Sequence, residues 1–253
     1  MLKDFSKEKF DIIIQGGQSN SDGTGHGYVS NPYYPDGRVW HLNQDFTIST
    51  AQERVVGNQI RSDFSLEFAR RYIGDNQLAK DRNLLIIRAA VGGTGFSDNR
   101  WGLKDDLFLQ MMEMVKTAIN LNSGNRLIAF LWHQGETDAG NGVDFDTHYS
   151  NLSTLVQTVR DEFKQPNLPF IAGDFVQLWK QKNIEICTPV IEAIRAVCEL
   201  VKYSAFVETY GLKSNYEEYG AEADGNEDEI HFSRAAIYEL GDRYYSAYRE
   251  IIS

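Results

Sequence analysis

Ser19 sits in Gly16-Gly17-Gln18-Ser19-Asn20, directly after the apolar run Phe10-Asp11-Ile12-Ile13-Ile14, and near the other end the chain reads Asp228-Glu229-Ile230-His231. A serine hydroxyl becomes a nucleophile when an imidazole takes its proton, and a carboxylate beside that imidazole fixes its tautomer and stabilises its cation. Ser19, His231 and Asp228 therefore carry the parts of a hydrolytic triad, in the order Ser, Asp, His. Asp228 is preferred as the orienting acid. Glu229 competes, but within Glu227-Asp228-Glu229 its simpler role is solvation. The simpler role for Ser19 is a helix cap after a strand. The segment is not a G-x-S-x-G elbow, since position 21 is Ser. Gly23-x-Gly25-x-Gly27 lacks the third spacing of a dinucleotide fingerprint, and no phosphate-binding lysine follows it.

Two further clusters offer groups for such chemistry. In Leu131-Trp132-His133-Gln134-Gly135-Glu136-Thr137-Asp138, Gln134 can donate a side-chain N–H to an oxyanion. His133, Glu136 and Asp138 can be read as metal ligands, but their spacing matches no zinc pattern, so a hydrogen-bonded network is expected and no metal. In Ala90-Val91-Gly92-Gly93-Thr94-Gly95-Phe96, a glycine lets the backbone approach a substrate and offer its N–H. An ordinary turn between strand and helix is the alternative there.

The elements that must position these groups alternate along the chain. Near-continuous apolar runs mark strands at Phe10 to Gln15, Asn83 to Ala89, Arg126 to His133, Pro169 to Phe175 and Tyr203 to Glu208. Helical periodicity marks Ser62 to Ile73, Lys104 to Leu121, Phe145 to Phe163, Glu185 to Val201 and Ser233 to Ile251, with Ser233 as an N-cap. Strands alternating with helices imply a parallel sheet between helical layers. Ligands then sit beyond the carboxyl ends of the strands, and each motif above follows a strand. Two segments break the pattern. Ser21 to Ile60 is rich in Gly, Asn, Asp and aromatics and too long for a simple connection. Lys213 to Asp228 is acidic and turn-prone.

The 253 residues have room for a sizeable core, and no linker or repeat divides them, so one domain over 1–253 is expected. A formal charge of -11 argues against nucleic acid and anionic membranes as partners. No segment approaches the ~20 apolar residues of a membrane span. The N-terminal residues carry acids and no secretory pattern, and Cys187 and Cys198 lie too far apart along one helix for a disulfide, so a reduced, cytoplasmic setting is expected.

Taken together, Gly17-Gln18-Ser19-Asn20, Gly92-Gly93-Thr94, Trp132-His133-Gln134-Gly135-Glu136-x-Asp138 and Asp228-x-x-His231 resemble the SGNH/GDSL-type hydrolases. The similarity is to the carbohydrate esterase branch that includes sialate O-acetylesterase-like and acetylxylan esterase-like proteins. The resemblance implies a three-layer α/β/α sandwich with a mostly parallel, flavodoxin-like sheet of about five strands. It implies Ser19 as nucleophile, His231 as base and Asp228 as its partner. The oxyanion donors would be the Ser19 N–H, the Gly93 N–H (preferred over Gly92) and the Gln134 side chain. No cofactor is implied. The substrate would be a small-molecule or oligosaccharide ester, an acetylxylan or an O-acetylated sialic acid. A non-catalytic carbohydrate-binding protein on the same scaffold, and a lipase or thioesterase, are the competing readings. Among Tyr33, Tyr34, Trp40, Trp101 and Trp179, the loop positions expected for Trp40 and Trp101 suit them as platforms for a sugar ring. The insert from Tyr28 to Ile60 is less familiar in such proteins.

Overall fold

Three consecutive isoleucines, Ile12, Ile13 and Ile14, are fully buried in the central strand, because the strand is covered on both faces. In the computed structural model, which describes residues 3–219 and 227–253, that strand is β1 (Phe10–Gly17). It is followed by α1 (Ser19–Asp22), β2 (Gly25–His26), β3 (Val39–Leu42), β4 (Ile48–Thr50), β5 (Arg54–Val56) and β6 (Gln59–Ser62). Then come α2 (Phe64–Gly74), β7 (Asn83–Arg88), α3 (Asp106–Asn120), β8 (Arg126–His133), α4 (Glu136–Gly140) and α5 (Phe145–Glu162). The remainder is β9 (Phe170–Gly173), α6 (Gln177–Lys182), α7 (Ile184–Leu200), β10 (Ser204–Val207), α8 (Asn215–Tyr219) and α9 (Arg234–Ile252).

One sheet has seven strands in the order β10-β9-β8-β1-β7-β3-β4. All neighbours are parallel except β3 and β4, which pair antiparallel. The five strands expected from sequence are β1, β7, β8, β9 and β10, and their order is the flavodoxin-like 2-1-3-4-5. The sheet is larger than expected because the insert adds β3 and β4 to its edge. A second, three-stranded sheet, β2-β6-β5, comes from the same stretch of chain. These strands are short, and sequence periodicity gives little signal over three or four residues.

Side chains alternate across the central sheet and feed two cores. Ile12, Ile14, Leu85 and Phe130 pack under α3, α5 and α7. Ile13, Leu84, Ile86 and Leu131 pack under α2 and α9. Full burial of one such aliphatic side chain stabilises the fold by about 1.5–3 kcal/mol. The helix ends follow their caps: Asp63 accepts from Ser65 N–H before α2, and Ser233 accepts from Ala236 N–H before α9. Part of the acidic segment Lys213 to Asp228 lies outside the described residues. No described helix is long and apolar enough to cross a membrane.

Candidate active site

β1 and β8 run side by side to their carboxyl ends, with Gly17 opposite His133. Gly17 has φ +121°, and a Cβ there would lie 2.1 Å from the His133 carbonyl oxygen. The Gln18 N–H donates to that same carbonyl at 2.9 Å. Gln18 also accepts through Oε1 from the Gly135 and Thr137 N–H groups, at 3.3 and 3.1 Å. The chain thus leaves β1 tied to the turn after β8 and delivers Ser19 at the start of the single-turn helix α1, 9% exposed.

His231 arrives from the segment before α9. Its Nε2 lies 2.9 Å from Ser19 Oγ, and its Nδ1 lies 2.8 Å from Asp228 Oδ1. An ionised carboxylate only accepts, so Nδ1 carries the proton and the Nε2 lone pair faces the serine hydroxyl. Burial pushes the Asp228 carboxyl up. The hydrogen bonds from His231 and the Asn215 amide outweigh it and hold the group below the usual carboxylate range. Glu229 points elsewhere and pairs with Lys182.

Asn215 had no signal in the sequence. Its Nδ2 donates to Asp228 Oδ2 at 2.8 Å, and its backbone N–H donates to the His231 carbonyl at 2.9 Å. It stands 13 positions before Asp228, beyond the range of any local motif.

The turn after β7 comes up on the other side of the serine. A methyl placed on Gly92 would be 3.5 Å from Ser19 Cβ, whereas one on Gly93 would meet open space. Gly92 is therefore the residue against the serine, and Gly93, at φ +69°, is the next along the turn. Gln134 is fully buried, and its Nε2 donates to Asp138 Oδ2 at 2.7 Å. One amide proton is engaged there and the nitrogen keeps a second. Asp138 also accepts from the Phe96 and Ser97 N–H groups at 3.2 and 2.8 Å. Burial pushes its carboxyl up, but the His148 ring, 3.4 Å away, and the Ser97 hydrogen bond prevail and hold it far below the usual range. His133 contacts the Tyr244 hydroxyl at 3.0 Å through Nδ1, and burial pushes its pKa down to about 3. Glu136 accepts from Asn20 Nδ2 at 2.7 Å, so His133, Glu136 and Asp138 each have separate hydrogen-bond partners. Among the described residues no group of three His, Cys, Asp or Glu is arranged to hold a metal.

Neither tryptophan is a platform in the site. Trp40 lies within β3, not in a loop, and packs edge-on against Phe5 at 4.9 Å. Trp101 is fully buried, packs edge-on against Trp132 at 4.9 Å, and donates from Nε1 to Thr94 Oγ1 at 2.9 Å. Thr94 in turn donates to the Val91 carbonyl at 2.7 Å. Trp101 therefore supports the glycine turn from beneath. Large apolar rings next to a sheet of this size are drawn into the core.

A cavity of about 510 Å³ adjoins Gly92. It is lined by the β3–β4 turn, with Asn43, Gln44, Asp45 and Thr47, and by Asp22, Arg54 and Arg88. Arg54 donates to the Asp22 and Gly23 carbonyls, both at 2.7 Å, and to the Asp22 carboxylate at 3.0 Å. The insert thereby grips the end of α1 and lines a cavity that adjoins Gly92, the glycine against Ser19, a role its sequence did not announce.

The family description "carbohydrate esterase, sialic acid-specific acetylesterase" matches residues 9–250. The chain belongs to that family, and so to the carboxylic ester hydrolases. It is 29% identical over 82 residues to a probable carbohydrate esterase of Arabidopsis thaliana, a stretch that is 32% of this chain and 30% of the plant protein. The solved structure of that plant protein superposes with a TM-score of 0.72 at 20% identity, covering 95% of this chain and 98% of that one. The crystal structure of NanS gives 0.81 at 18% identity, covering 96% and 98%. A carbohydrate acetylesterase from Xanthomonas citri gives 0.61 at 12% identity, covering 95% of this chain and 56% of that one. At these identities the structures speak for the fold.

Proposed function

We propose that this chain is a serine esterase that removes O-acetyl groups from a carbohydrate. The observation that carries the reading is the continuous contact from Ser19 Oγ through His231 to Asp228, at 2.9 and 2.8 Å. His231 takes the Ser19 proton at Nε2 while Oγ attacks the acetyl carbonyl. The tetrahedral oxyanion faces the Ser19 N–H, a backbone N–H of the Gly92-Gly93 turn, with Gly93 as the donor, and the second proton of Gln134 Nε2. His231 then protonates the departing sugar hydroxyl. Water, activated by the same histidine, releases acetate from the acyl-serine. No step calls for a cofactor.

The cavity lining supports a sugar over a fatty acyl chain. Two arginines, two aspartates, two side-chain amides and a hydroxyl line it, groups that pair with hydroxyls and repel an aliphatic tail. Hydrolysis of p-nitrophenyl acetate tests the chemistry. Ser19→Ala is expected to lose turnover entirely, and Gln134→Ala to lose about 10²–10³-fold in kcat. Unchanged activity in Ser19→Ala would refute the assignment. Acetate release from acetylated xylan, O-acetylated sialic acids and acetylated monosaccharides, with Ser19→Ala as blank, identifies the sugar. Failure of a serine-directed phosphonate to label Ser19 would favour a binding protein instead.

A further inference from the structure

Asn20 follows the nucleophile directly and is fully buried. Its side chain does not face the serine. Nδ2 donates to the Ile230 carbonyl at 3.0 Å, and Oδ1 accepts from the Phe232 N–H at 3.1 Å. These peptide groups stand immediately before and after His231. The other Nδ2 proton goes to Glu136 Oε1 at 2.7 Å. The opposite amide orientation would set the Asn20 carbonyl against the Ile230 carbonyl and the Glu136 carboxyl, and its NH₂ against an N–H donor. The direction of the amide is therefore fixed.

His231 needs such a hold. Residues 227–233 form no helix or extended strand, and only Phe232 joins a bridge, to Ser214. From one side the segment is held by the Asn215 N–H on the His231 carbonyl and by the Ser233 N–H on the Lys213 carbonyl, both at 2.9 Å. Asn20 supplies the hold from the side of the nucleophile. Glu136, 2% exposed, anchors that amide from α4.

We propose that Asn20 is a positioning residue for His231, whose amide grips the peptide groups on both sides of the base and whose direction is set by Glu136. The serine and its base are then referenced to adjacent residues of one turn, so their separation is held although they lie 212 positions apart in sequence. This inference rests on the serine-esterase reading above.

The test is a comparison of kcat per active site in Asn20→Ala and the wild type on p-nitrophenyl acetate. A serine-directed phosphonate counts the active sites. A positioning role predicts a loss of about 10²-fold in kcat per titrated site, with KM within about twofold, because a small misplacement of a reacting group acts on the chemical step. A purely structural role lowers the number of titratable sites and leaves kcat per site at the wild-type value, and that result overturns the inference. If Asn20→Ala does not fold, Glu136→Met decides in its place. It removes the acceptor that orients Asn20, and a loss of about tenfold or more per titrated site is expected. Glu136→Gln, which retains an acceptor oxygen, is expected to restore most of that loss. Wild-type kcat per site in Glu136→Met overturns the inference. A wild type that the phosphonate does not label overturns the esterase reading and the inference together.

Discussion

On the serine-esterase reading proposed above, His231 is only as useful as the carboxylate that orients it, and that carboxylate has two partners. Asp228→Asn places an amide against Nδ1 and favours the wrong imidazole tautomer. A loss of about 10⁴-fold in kcat is expected, as for the corresponding change in serine proteases. Asn215→Ala removes one hydrogen bond to a charged acceptor. Such bonds are worth roughly 1.5–3 kcal/mol, so kcat on p-nitrophenyl acetate should fall about ten- to a hundredfold. Equal activity in Asn215→Ala and the wild type would show that His231 alone suffices to hold Asp228. Glu136 gives a prediction in pH. Burial raises its pKa above the ordinary 4.5, against the Asn20 hydrogen bond that lowers it. Between the unfolded and folded values the unfolded state binds fewer protons, so this group makes stability fall as pH rises. Urea unfolding of Glu136→Gln should therefore show a gain over the wild type that grows from about pH 5 upward and then levels off. A gain that is constant with pH would contradict it. At this scale the sequence was informative where chemistry is local: Asp228-x-x-His231 is a single turn of chain. Asn215 was invisible, because a side chain brought in by tertiary folding leaves no spacing to read.

The strands taught the same lesson with a different cause. β1, β7, β8, β9 and β10 were legible because burial on both faces demands unbroken apolar runs. β3 and β4 were not, since Val39–Leu42 includes His41, and Ile48–Thr50 is only three residues long. Trp40 was misplaced for this reason, as its neighbours gave no strand signal. Trp101 does lie in a loop, but the loop folds under the sheet edge. The element most exposed to a single change is the β1–α1 turn. Gly17→Ala drives a methyl into the His133 carbonyl at a positive φ, and destabilisation by about 3 kcal/mol is expected from a urea midpoint. Arg54 binds the insert to the end of α1. Arg54→Ala should leave the melting temperature nearly unchanged, because the contact is half-exposed, while kcat/KM on the acetylated sugar falls more than on p-nitrophenyl acetate. Equal losses on both substrates would remove the insert from substrate binding.

Across the whole molecule, one sheet separates two cores, and both cysteines lie in the same one, on α7. Each is free, and burial pushes each thiol up to about 12. Only the thiolate reacts with disulfide reagents. A native sample at mild alkaline pH should therefore show almost no thiol titration, and two equivalents should appear after denaturation. Rapid native reaction would contradict the packing of α7 against the sheet. The parallel sheet between helical layers was legible from the alternation of elements, and its flavodoxin-like form from the family resemblance. The extra width of the sheet was not.

The contact of Ser19 with His231 brings together the first strand's exit and the approach to the final helix. On the serine-esterase reading, a cut anywhere between them leaves two fragments that can cleave an ester only after they reassociate, because hydroxyl and imidazole come from residues 212 positions apart.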